Sequence, residues 1–142
     1  MRLLLTGILA LLWCGSGYAG DFEIDLSRIM AIESSGIASA YNAKSGASGL
    51  YQITPICLKD FNQYHKDGYV MADMFDPQKS ARVAHWYMNT RIPKLLKAYG
   101  VPDGVEARLW AYNAGIRLVI GKIMPSETRS YIGKYYKMEV RA

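Results

Sequence analysis

The chain predicts an all-α fold on three observations. Apolar residues recur three and four positions apart along most of its length, cap-plus-proline signals open several of those stretches, and no segment alternates convincingly as a strand would. Taken in order, Asp21 or Asp25 can cap a first helix. Leu26, Ile29, Met30 and Glu33 then fall at i, i+3, i+4 and i+7 and share one face, with Gly36 as the expected stop. Residues 37–53 are small and glycine-rich, as suits a loop. Thr54-Pro55 is a cap followed by proline at the first helical position, and Leu58 and Phe61 carry the apolar face onward. Residues 65–75 are ambiguous. Asp76-Pro77 repeats the start signal for a helix bearing Ala81, Ala84 and Met88, which Pro93 must kink or restart because its ring removes a backbone donor. Leu95, Leu96 and Tyr99 lead to a stop at Gly100. Asp103 with Glu106 predicts a capping box for a helix carrying Val105, Leu109 and Tyr112 and closed by Gly115. Residues 116–124 suit a short helix, and Ser126 is expected to cap a last one bearing Ile132, Tyr135 and Tyr136. With no repeat and no low-complexity linker, one domain is expected.

Arg2, the apolar run of residues 3–13 and the small residues of Gly17-Tyr18-Ala19 have the pattern of a secretory leader. The run is short against the roughly 20 apolar residues of a spanning helix, which disfavours a retained anchor. Cys14 raises a lipoprotein site, against which the bulky Trp13 argues. The expectation is a signal peptide at residues 1–19 and a catalytic domain at residues 20–142, exported to the periplasm and meeting the membrane only during export. Cleavage after Ala19 leaves 142 − 19 = 123 residues and, with Arg2 gone, lowers the formal charge from +5 to +4. A mildly basic exported chain suits a polyanionic envelope polymer. Nucleic acid is not expected, because the basic residues are scattered rather than clustered. Cys57 would be the sole remaining cysteine, so no internal disulfide is expected, and it reads as a small buried residue. His65 and His85 are too far apart for a metal motif, and no metal or cofactor is expected.

Glu33 is the residue with chemical promise. Breaking a glycosidic bond needs a donor still protonated near neutral pH, whereas a free glutamate ionises near about 4.3. Its place on an apolar face and in the last helical turn, at the negative end of the helix dipole, both oppose ionisation. A solvated glutamate at a frayed helix end is the competing reading. Two neighbours oppose that: Gly46-Ala47-Ser48-Gly49 lets backbone approach a ligand closely, and Gln52 offers a donor and an acceptor.

Four pieces then occur in order: Glu33-Ser34, Gly46-Ala47-Ser48-Gly49-Leu50-Tyr51-Gln52-Ile53-Thr54-Pro55, Ala111-Tyr112-Asn113-Ala114-Gly115, and Glu127-Thr128 with Tyr131. In them the chain resembles the lytic transglycosylases of the soluble-transglycosylase type, relatives of the goose-type lysozymes, over essentially the whole stretch from Ile32 to about Tyr136. The resemblance implies a single lysozyme-like helical domain with a catalytic cleft. It implies Glu33 as the one catalytic acid/base, with Gln52, Tyr112 and Asn113 lining the saccharide cleft and Tyr131 packed near its floor. Other roles stay open beside these. Tyr112 shares a face with Val105 and Leu109 as a core aromatic would, Asn113 can cap its own helix, and Tyr131 has ordinary packing spacing from Thr128. Ser45 is a further candidate ligand contact, its alignment left ambiguous by the loop spacing. The chain departs from the family pattern at Tyr51 and Thr54, where methionines are usual, and Tyr51 either stacks on a sugar or fills core space.

The family cleaves the β-1,4 bond between N-acetylmuramic acid and N-acetylglucosamine in peptidoglycan glycan strands. The resemblance implies that the substrate's own N-acetyl group meets the charge at the anomeric carbon, no second carboxylate being placed to do so. The small size is similar to that of specialised members serving conjugation or secretion machinery, and a monomer is expected. Rivals are a hydrolytic muramidase, with Asp73 or Asp103 as loosely placed helpers, and a non-catalytic peptidoglycan-binding or assembly subunit.

Overall fold

Asp25 starts the first helix, α1 (Leu26–Ser34): its Oδ1 accepts from the Ser27 amide at 2.9 Å and from the Ser27 hydroxyl at 2.6 Å. Those bonds hold its carboxyl below the usual carboxylate range. The structure is a computed structural model and describes residues 22–138, so the expected leader at residues 1–19 and the alternative cap Asp21 lie outside the described residues. The helix stops one residue earlier than Gly36, because Ser35 itself takes the left-handed cap (φ 54°) and returns its N–H to the Ala31 carbonyl. Glu33 is therefore the penultimate helical residue.

A loop follows, and among the described residues there is no strand, only isolated bridges pairing Ser48 with Tyr41 and with Ile53. Gly49 cannot be anything else: at φ +80° a Cβ there would stand 1.9 Å from the Met74 carbonyl oxygen. Thr54 caps α2 (Pro55–His65), accepting from the Cys57 amide at 3.3 Å with Pro55 in the first turn. The ambiguous stretch is a left-handed stop at Lys66 and a 3₁₀ turn (Met71–Phe75). Asp76 then caps α3 (Pro77–Trp86) by accepting from two amides, Gln78 and Lys79.

Pro93 is absorbed rather than allowed to break the rod. A π turn (Tyr87–Arg91) precedes it, with the Ile92 amide reaching back five residues to the Tyr87 carbonyl, and α4 (Ile92–Ala98) continues from there. Widening by one residue is how a helix accommodates a ring that can neither donate nor clear the preceding turn.

The expected capping box at Asp103 does not form. Gly104 occupies the cap of α5 (Val105–Ala114) without a side-chain bond. Asp103 instead takes a two-pronged ion pair with Arg108, Oδ1 from Nε at 2.8 Å and Oδ2 from Nη2 at 2.6 Å. A buried guanidinium requires its counter-charge more strongly than two exposed amides require a cap. Arg108 also donates to the Phe22 carbonyl and to Asn89, whose Oδ1 accepts from Ile24, so the start of the described chain is pinned to α5 and the π turn. After α6 (Ile116–Ile120) comes α7 (Ser126–Lys137), capped by Pro125 without a side-chain bond; Ser126 is its first residue, not its cap.

Phe61, Ile29, Met74, Val83, Ala84, Met88 and Leu109 are wholly buried at the centre. Each large side chain among them contributes roughly 1.5–3 kcal/mol by leaving water. A smaller cluster of Ile92, Leu96, Ala111 and Val119 joins α4, α5 and α6, and Tyr87, Trp110 and Tyr112 pack against both. The arrangement is all-α. Helices α1 and α7 lie antiparallel: Tyr135 accepts from the amide of Asp25 at the start of α1, while Tyr131, one turn earlier, meets Glu33 at its end. That pairing sets up the site.

Candidate active site

Glu33 opens onto a cleft of about 490 Å³ whose walls include Ser45, Gln52, Thr54, Ile56, Tyr112, Asn113 and Glu127. A second depression of about 670 Å³ continues from it, sharing Glu33, Asn42 and Gln52 and adding Ser34, Ser35, Tyr41 and Lys44. Of the residues singled out from sequence, Glu33, Ser45, Gln52, Tyr112 and Asn113 thus face one cleft. Tyr131 lies behind it, buried, and touches Glu33.

The carboxyl of Glu33 is half-buried, and the Tyr131 hydroxyl donates to its Oε1 at 2.8 Å. Burial pushes the Glu33 pKa up from 4.5 to about 7; the Tyr131 bond opposes that shift and the negative charge of Glu127 adds to it. Burial first, then Glu33, raises the Tyr131 hydroxyl far above its ordinary range, so it stays a proton donor to the carboxyl. The result is an acid that is half protonated near neutral pH, held in one orientation and open to a groove. Such a group can give a proton and then receive one.

Gln52 departs from its expected role in part. It sits at φ 51°, a left-handed conformation that costs a non-glycine residue on the order of 1 kcal/mol. Its Nε2 is committed to the carbonyls of Gly49 (3.0 Å) and Ala40 (3.3 Å), an arrangement that assigns nitrogen to that side and leaves the acceptor oxygen for a ligand. Tyr112 combines both of its readings: half-buried against the core, it lines the cleft and donates from its hydroxyl to the Tyr51 carbonyl at 2.6 Å, tying α5 to the loop. Tyr51 is a buried core residue. Asn113 does not close α5, because Gly115 returns its N–H to Ala111. Instead its Oδ1 accepts from the Thr128 hydroxyl at 2.7 Å, which fixes the amide on the cleft wall. Ser45 is exposed, and its hydroxyl accepts from the Ala47 amide at 3.3 Å.

A second carboxylate does reach the cleft: Glu127, on the first turn of α7, lines it and acts on Glu33. Its signal was available, since Glu127 stands four residues before Tyr131 and so shares its face of the helix. Asp73 and Asp103 line neither depression; Asp73 pairs with Lys79 and Asp103 with Arg108. Cys57 lines the cleft as a thiol pushed up to about 12 by burial and by Asp60, which removes it as a nucleophile. Among the described residues no three of His, Cys, Asp and Glu gather as a metal-binding group.

Comparison with known families matches residues 20–132 to one model, described as the transglycosylase SLT domain. No curated protein and no solved structure matches the chain.

Proposed function

Because the chain belongs to the transglycosylase SLT family, we propose that it is a peptidoglycan lytic transglycosylase in which Glu33 is the single acid/base. The observation that carries this reading is the Glu33 carboxyl, opening on a cleft, held by Tyr131 and raised to about 7. Protonated Glu33 gives its proton to the glycosidic oxygen between N-acetylmuramic acid and N-acetylglucosamine as that bond breaks. The carbonyl oxygen of the muramyl N-acetyl group closes on the anomeric carbon and takes up the developing positive charge. Glu33, now ionised, receives the proton of the muramyl C6 hydroxyl. That oxygen attacks the anomeric carbon, releases the acetamido oxygen and closes a 1,6-anhydro ring. The proton count balances, and no water is consumed. Gln52, Tyr112, Asn113 and Ser45 are the strand-holding residues of this reading, and Tyr131 orients the acid.

Purified peptidoglycan treated with the protein and with Glu33→Gln tests it. Products ending in 1,6-anhydromuramyl residues are expected from the wild type, and a loss of about 10²–10⁴-fold in the variant with glycan binding kept. Turnover within about tenfold of the wild type in Glu33→Gln sinks the assignment.

Glu127 favours one second reading. A carboxylate on the cleft wall can take a proton from water, which would make the protein a hydrolytic muramidase. Product mass separates the two, since a hydrolysed end carries one more water than an anhydro end.

The leader pattern of residues 1–19 supports a periplasmic site of action, and the resemblance to specialised members supports local wall opening for a conjugation or secretion machine. Fractionation of cells, and capture of machine components by the Glu33→Gln chain, test these two points.

A further inference from the structure

The cleft and its continuation carry charges of both signs. Among the described residues lining them, Glu33 and Glu127 are the carboxylates and Lys44 is the one cation. Lys44 lines the continuation together with Tyr41, a residue that is 63 % exposed. Its backbone is braced. Asn42 Oδ1 accepts from the Lys44 amide at 3.0 Å and from the Ser45 amide at 3.4 Å, and Asn42 is itself closed against Gly46 and Ala47 by main-chain bonds. The ammonium forms no salt bridge among the described residues.

We propose that Lys44 is a specificity residue of the cleft, receiving a carboxylate carried on the 3-O-lactyl arm of a muramyl residue bound beside Glu33. The proposal rests on the muramyl-glycan reading above and adds an ionic contact to it. A neutral sugar chain gains no ionic contact in the groove. A strand with acidic arms is steered so that an arm meets the ammonium. An exposed lysine recognises such a group as a point charge, which gives modest affinity with marked salt dependence.

The test uses the full chain carrying Glu33→Gln, so that ligands are bound and not consumed. Calorimetry compares three ligands: a glycan oligosaccharide bearing stem peptides, the same oligosaccharide stripped by an amidase to its free lactyl carboxylates, and neutral chitohexaose. Adding Lys44→Gln is expected to raise Kd about two- to fivefold for a carboxylate-bearing strand, the size of an exposed ion pair, and to leave chitohexaose unchanged. Lys44→Arg keeps the affinity, and the difference fades in about 0.5 M salt. A loss confined to the stem-bearing strand assigns the stem carboxylates, and a loss that includes the stripped strand assigns the lactyl group. Equal weakening of all three ligands, or no weakening of either charged one, overturns the proposal. If the folded Glu33→Gln chain with Lys44 intact binds none of the three, the muramyl-glycan reading itself fails and takes this one with it.

Discussion

The hydroxyl of Tyr131 donates to Oε1 of Glu33 at 2.8 Å, joining residues 98 positions apart in the chain. Glu33 lies in the last turn of α1 and Tyr131 within α7, so the contact exists only because the two helices run antiparallel and are tied at their other end by Tyr135 and Asp25. It acts on the acid in the sense opposite to burial and to Glu127, lowering the Glu33 pKa where they raise it.

Two variants should therefore move the acid in opposite directions. Tyr131→Phe removes the lowering bond, and the alkaline limb of kcat/KM, expected near pH 7 from Glu33, shifts to higher pH. A drop in kcat of about tenfold accompanies it as the carboxyl loses its fixed orientation. Glu127→Gln removes a like charge, and the limb shifts to lower pH. Rate profiles from pH 5 to 9 decide; a shift of both in the same direction rejects this account of the site.

Glu33 should also cost stability where it is ionised. Its folded pKa, about 7, lies above the ordinary 4.5, so between those values the native state holds the extra proton. Stability from this group is therefore fully present below about pH 4.5 and is lost as pH rises through 7. Glu33→Gln carries no such proton. It should melt a few °C above the wild type at pH 8, on the order of 1 kcal/mol after allowance for partial exposure, with a smaller gap at pH 5. Thermal melts at the two pH values check it, and an equal gap at both would count against a buried ionising carboxyl.

Gly49→Ala should be among the most damaging changes in the loop. The added Cβ meets backbone, the Met74 carbonyl at 1.9 Å, in a conformation that already disfavours a side chain. A loss of roughly 3 kcal/mol or more is expected in urea denaturation, with cleavage lost alongside because Gln52 bonds the Gly49 carbonyl.

Arg108→Ala should cost about 3 kcal/mol by the same measurement, because Asp103, Asn89 and the Phe22 carbonyl all lose their shared partner. Asp103→Asn, which leaves the buried guanidinium without its counter-charge, should cost a comparable amount.

The fold was legible where its signals are local. Asp25, Thr54 and Asp76 announce helix starts within three residues of the amides they bind, and each does so in the structure. Asp103 illustrates the opposite case. Its spacing from Glu106 fits a capping box, but the neighbouring Arg108 is buried, and burial is a property of the packed domain. Pro93 announces a disturbance without saying which kind, because the choice between a break and a π turn depends on what the continued helix can bury, here Ile92 and Leu96.

The same division runs through the site. From residue order alone come the all-helical class, a glutamate at the end of an apolar helix, the glycine loop beside it and the family these pieces belong to. Those are written in spacings of a few residues, which short-range sterics and capping bonds translate directly. Tertiary packing decided that Gln52 spends its nitrogen on the loop, that Tyr112 ties α5 to Tyr51, and that Tyr131 and Glu127 pull the acid in opposite senses. Hydrogen bonds and electric fields act over a few ångströms of space, and which side chains lie that close is settled only when the helices are packed together.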